Sequence, residues 1–140
     1  MKMTIRKLIC LSILCLFSSL ASAEVAVIVN PANTNTISKE DIAKIYLAKT
    51  KTFPNGKTAI PIDRKEGSAI RVDFVSKVLS KDENQLKAYW SRLIFTGKGV
   101  PPKAVETDAE VKDIVSRNPD AIGFIDAGAV DGTVKVVEKF

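Results

Sequence analysis

Apolar positions along the chain follow two rhythms. Short β-rich runs recur at residues 24–29 (EVAVIV), 59–63, 121–125 and 134–137, and each reads as a strand. Elsewhere apolar residues return every three or four positions, the period of a helix with one buried face. The first such stretch opens at Ser38, a residue suited to cap helix amides. Glu40 and Asp41 sit in its first turn, and Ile42, Ile45 and Tyr46 point to a core. The second covers residues 68–79, with an inner stripe of Val72, Val75 and Leu79 and with Phe74 and Val78 beside it. A third begins at residues 81–85, where Asp82 and Gln85 resemble a capping box, and it sets Leu86, Tyr89, Trp90, Leu93 and Ile94 on one face. In the fourth, Thr107 and Glu110 form a capping box, Val111, Ile114 and Val115 face inward, and Asn118-Pro119 ends the helix.

Polar breaks separate these segments. Residues 30–36 are rich in Asn, Thr and Pro, and residues 48–58 contain the turn pair Asn55-Gly56. Phe53 reads as a plug into the core rather than a ligand platform, and Trp90 as a core residue. Residues 96–102 hold two glycines and two prolines, which reads as a surface loop. No Gly-Lys-Ser/Thr follows, so this is not a nucleotide-binding P-loop. Lys103–Val105 is expected as a short strand. Strands and helices thus alternate, which implies an α/β layer fold with a largely parallel or mixed sheet. Ligands in such sheets sit outside the carboxyl ends of strands, here residues 30–34, 63–68 and 126–128.

The start of the chain changes what counts as the folding unit. Lys2, Arg6 and Lys7 precede an apolar run over residues 8–20, and Ala21-Ser22-Ala23 is a signal-peptidase site. Together these are the three parts of a secretory signal peptide, residues 1–23, and the folding domain is residues 24–140. The apolar run is shorter than the roughly 20 residues of a membrane span. Cys10 and Cys15 both fall in the signal, preceded by Ile9 and Leu14 rather than by the small residue of a lipoprotein site. Residues 24–140 contain no cysteine and no histidine, which excludes disulfides, Cys/His zinc sites and His-based triads there. No cofactor is implied and an enzyme is not expected. Of the 21 basic residues, three leave with the signal, so 18 face 16 acids. That balance gives no argument for a nucleic-acid partner, and no membrane insertion is expected after cleavage.

Candidate chemistry gathers in residues 60–71 (IPIDRKEGSAIR). A strand, a charged turn with one glycine and a helix start at Ser68 follow one another. The first amides of a helix have no partner within it, and the helix dipole adds positive potential there. Arg64 can make a two-pronged contact with an oxyanion. Ser68 offers a hydroxyl, and the amides of Ala69, Ile70 and Arg71 lie near the opening. Arg71 either reaches the anion or turns to solvent. Asp63 either accepts a proton from a protonated phosphate or orients Arg64. The plainer reading of the same residues is a capped helix with a solvated charged turn.

Four pieces in order carry a resemblance: Val27-Ile28-Val29-Asn30; the segment from Ile37 to Lys49; Ile60-Pro61-Ile62-Asp63-Arg64-Lys65-Glu66-Gly67-Ser68; and Pro119-Asp120-Ala121-Ile122-Gly123-Phe124-Ile125. They resemble one of the two lobes of the periplasmic phosphate-binding proteins of ABC transporters. The resemblance implies a single lobe of a periplasmic-binding-protein-like (type II) fold, a mixed sheet flanked by helices. It implies a periplasmic location and a phosphate site at Arg64, Ser68, Ala69, Ile70 and Arg71. Ala69 and Ile70 stand where the family has Gly and Thr, which leaves backbone donation at those two positions. Implied partners are phosphate or a similar oxyanion, an ABC permease, and a second lobe or homodimer partner. The alternative is a single-lobe protein-interaction module without a ligand.

Overall fold

A fully apolar run at the start of the described chain forms an interior strand of its sheet. A computed structural model describes residues 24–140; the expected signal peptide lies outside the described residues. β1 (Val25–Val29) is buried at all five positions. A strand with one solvated face would alternate, so β1 must be covered on both sides. Val25, Val27 and Val29 enter one apolar cluster with α1 (Lys39–Tyr46), α2 (Ala69–Leu79) and α3 (Glu83–Phe95). Ala26 and Ile28 enter a second cluster, with Val111 and Val115 of α4 (Asp108–Arg117). The strand's two-residue period thus divides the molecule into helices, sheet and helix.

The other strands are β2 (Ile60–Arg64), β3 (Lys103–Val105), β4 (Ala121–Asp126) and β5 (Lys135–Lys139), and a short 3-10 turn, Ala127–Ala129, follows β4. The order across the sheet is β3-β2-β4-β1-β5. β2 runs parallel to β3 and β4, whereas β1 is antiparallel to β4 and β5. The sheet is therefore mixed, as expected. One consequence bears on the site. The carboxyl ends of β2, β3 and β4 share an edge, and residues 30–34 after β1 leave from the opposite edge. Asn30 there donates to the carbonyls of Val115 and Ser116 at the end of α4.

Two contacts fix β2 in place. The Tyr46 hydroxyl donates to the carbonyls of Ile62 (2.9 Å) and Ile122 (3.2 Å), tying α1 to β2 and β4. Its ring meets Phe74 edge-on, and Phe74 stacks on Phe124 at 3.9 Å. On the other face α4 lies so close to β4 that a Cβ on Gly123 would stand 2.4 Å from Val111 Cγ1.

Ser38–Asp41 and Asp82–Gln85 both form complete capping boxes. At α4 only half of the box forms: the Glu110 amide donates to Thr107, whose hydroxyl in turn donates to the Glu110 carboxylate rather than freeing it for the Thr107 amide. Phe53 is buried, as is Trp90. Two expected core positions are not. Val72 is exposed, because α2 turns Phe74, Val75, Val78 and Leu79 inward instead. Ile94 is exposed: α3 buries Leu86 and Trp90 and packs Tyr89 and Leu93 half-buried against the core.

Candidate functional site

At the end of β2 the chain turns within four residues. The Ser68 amide donates to the Lys65 carbonyl (3.1 Å), and Gly67 takes φ +84°, a conformation that glycine adopts without a Cβ penalty. Ser68 is then the N-cap of α2, with extended backbone, and its carbonyl accepts from the Val72 amide. Among the described residues the amides of Ala69, Ile70 and Arg71 carry no hydrogen bond, as the first turn of a helix requires. α4 begins beside α2, since the Lys65 amide donates to Val105 at the end of β3. Two helix N-termini therefore face one edge of the sheet.

Arg64 is buried and lies between them. Its Nη1 pairs with the Asp108 carboxylate, and its Nη2 donates to the Glu106 carbonyl (3.1 Å). The two-pronged contact expected for an oxyanion is thus made to the chain's own groups. Arg71 does not turn to solvent. Its Nε lies 3.4 Å from Asp63 Oδ1 and its Nη1 3.4 Å from Glu83 Oε2. Asp63 Oδ1 also accepts from the Arg64 amide (2.7 Å), so Asp63 fixes both arginines' positions. Burial pushes the Asp63 carboxyl above the usual range, with Glu83 adding to the rise and Arg71 and the Arg64 amide opposing it.

Ser68 departs from expectation in a telling way. Its hydroxyl makes no cap bond and is buried without any partner. Arg64 Nε, Glu83 Oε1 and Arg71 Nε also lack a hydrogen bond among the described residues, although Arg71 Nε keeps its ion pair with Asp63. Such atoms are rare in native structures and mark a missing partner. Ser68 and Arg71 belong to the start of α2, Arg64 to the end of β2 and Glu83 to the start of α3. The neighbouring cleft, about 260 Å³, is lined by Glu66, Arg71 and Glu83 among others and does not reach Arg64 or Ser68. Ile70 turns its side chain to the core, so it offers the site only its amide.

Two site residues escaped the sequence reading. Asp108 and Glu83 lie in helix first turns, where helix capping and the dipole already account for an acid. Asp108 is 44 residues from Arg64 and meets it only because β3 pairs with β2. No local signal announces that pairing.

The fold is that of part of a substrate-binding receptor of ABC-type phosphate transport. The described chain superimposes on an ABC-type phosphate transport receptor from Vibrio cholerae with a TM-score of 0.64 at 23% identity, covering 83% of this chain and 46% of that one. A putative phosphate ABC transporter substrate-binding protein with bound phosphate from Clostridium perfringens gives 0.64 at 22% identity, covering 83% and 45%. PstS from Borrelia burgdorferi gives 0.60 at 19%, covering 82% and 47%. The chain thus spans a little under half the length of the solved structures it matches. No protein-family profile matches it, and no curated protein is similar to it.

Proposed function

We propose that this chain is a periplasmic phosphate-binding-like protein, delivered by the signal at residues 1–23 and working with an ABC-type permease. Phosphate or a similar oxyanion sits against the Ser68 hydroxyl and the amides of Ala69, Ile70 and Arg71, with Arg64 as the charged partner. The reading is one of binding, not catalysis. The observation that carries it is the buried Ser68 hydroxyl without a hydrogen bond at the start of α2, beside free helix amides. An oxyanion would accept from the amides, the Ser68 hydroxyl and Arg64 Nε at once, whereas the Glu83 oxygen is itself an acceptor and stays outside that set. The structures it matches include one with bound phosphate, which supports the choice of ligand. Among the described residues no helix is long and apolar enough to cross a membrane.

Titration calorimetry of residues 24–140 with phosphate and with sulfate tests this. Phosphate should bind, and Arg64→Ala should abolish the heat. Unchanged affinity in that variant would remove Arg64 from the site, and absence of heat in the parent protein would remove the site itself.

A further inference from the structure

Charge is unevenly divided along residues 24–140. Residues 42–62 carry Lys44, Lys49, Lys51 and Lys57 and no acid. Residues 84–105 carry Lys87, Arg92, Lys98 and Lys103 and again no acid. The remaining ten basic residues share the rest of that span with all 16 acids. A total near neutrality thus combines eight positive charges on two stretches with a net six negative charges elsewhere. Such asymmetry points to a charged partner.

The fold joins the two basic stretches. The Tyr89 hydroxyl donates to the Leu47 carbonyl, and a Cβ on Gly99 would stand 3.5 Å from Ala48. Lys51 and Lys98, one from each stretch, line a single hollow whose walls hold no acid. All eight basic side chains are exposed, and none joins an ion pair among the described residues. Acids stand at the margins: Asp41 shares a hollow with Lys44 and Lys49, and Glu66 and Glu83 share one with Lys87.

This basic surface has an apolar crest. α3 turns Leu86, Trp90 and Leu93 to the core. At about 3.6 residues per turn, Phe95 then falls on the opposite side of the helix, and it is 92% exposed. Lys87 and Ser91 precede it at four-residue steps and Arg92 lies three residues before it, so all three neighbour it on the outer face. Val100, 82% exposed, follows between Lys98 and Lys103. Both apolar groups are held in place. The amides of Thr96, Gly97 and Lys98 donate to the carbonyls of Arg92, Ile94 and Leu93, and Gly99 packs against Leu93 and Trp90.

We propose that this surface docks on an anionic lipid bilayer, with Phe95 and Val100 entering the headgroup layer and the basic side chains meeting lipid phosphates. Lysine and arginine beside protruding aromatic and aliphatic groups are what an interfacial contact requires. An acidic protein would meet the cations, yet it would need a shaped pocket for Phe95, whereas a bilayer accepts a convex apolar group anywhere. The net negative remainder of the protein is repelled by the same surface, which fixes the orientation. The contact lies on the membrane and does not cross it.

A signal peptide would itself bind lipid, so residues 24–140, which hold every described element, serve for the test. Vesicles of equimolar phosphatidylglycerol and phosphatidylcholine, in phosphate-free buffer, should sediment the protein, and vesicles of phosphatidylcholine alone should not. Lys51→Gln combined with Lys98→Gln should weaken binding about tenfold or more, as should about 0.5 M salt. Phe95→Ser should weaken it about threefold or more with circular dichroism unchanged, since that side chain is in water in the free protein. These residues contain no cysteine, so Phe95→Cys carries a single environment-sensitive dye whose emission should move to the blue on the anionic vesicles. Absence of binding overturns the proposal, as do equal binding to phosphatidylcholine alone and an unshifted dye. Equal binding to soluble polyglutamate, indifferent to Phe95→Ser, would make the surface a site for an acidic protein instead. Exchanging chloride for phosphate at equal ionic strength should change nothing; competition would assign the lipid contact to the anion site and overturn the proposal.

Discussion

Asp108 is the residue on which the candidate site turns. It occupies the guanidinium of Arg64 with a carboxylate, which is chemically what an oxyanion would do. An incoming phosphate therefore competes with a group of the protein itself. Asp108→Asn should relieve that competition and raise phosphate affinity in calorimetry. The same change should lower stability by about 1–3 kcal/mol, because a buried arginine loses its charged partner; urea denaturation measures this. Equal or weaker affinity in the variant would show that Asp108 supports the bound state rather than opposing it. Arg64 and Ser68 were legible in the sequence because their chemistry is local: a strand end, a turn and a helix start within a few residues. Their neighbours were not. Whether Arg64 faces solvent or Asp108 depends on strand pairing, and pairing leaves no trace in the residues around Arg64.

Among the elements, helix starts were the most readable features and helix faces less so. Capping depends on residues three apart, so Ser38–Asp41 and Asp82–Gln85 form as the sequence implies. Which stripe of a helix is buried depends on what lies against it. The Val72 side of α2 and the Ile94 end of α3 share the apolar period but meet no neighbour. The α4–β4 contact shows the opposite extreme. Gly123 is there because nothing larger fits beneath Val111. Gly123→Ala should destabilise the protein by about 1–3 kcal/mol through overpacking. Adding Val111→Ala should recover part of the loss, so that the two changes are non-additive in a double-mutant cycle read by urea denaturation. Simple additivity would mean that the helix shifts freely on the sheet.

For the whole molecule, the buried charges near α2 make stability depend on pH in a definite direction. The folded Asp63 carboxyl titrates above its unfolded value of about 3.9. Between those two points the native state keeps a proton that the unfolded chain releases. Stability from this group is present at the acid side and declines as pH rises through that window, then levels off above the folded pKa. Asp63→Asn removes the decline. Urea midpoints of the variant should gain on the parent as pH rises from about 4 toward neutrality; parallel curves would mean that the Arg71 charge fully offsets burial.

The position of β1 has a consequence of another kind. The first strand pairs only with β4 and β5, the last two, and Val25 exchanges both backbone hydrogen bonds with Phe140. Contacts this distant along the chain form slowly, since a long loop must close before they repay it. In a polypeptide emerging amino end first, this interior strand has no partners until residues 121–139 have followed it. The sheet is completed only once β4 and β5 are present, and the topology keeps the chain open to threading until then.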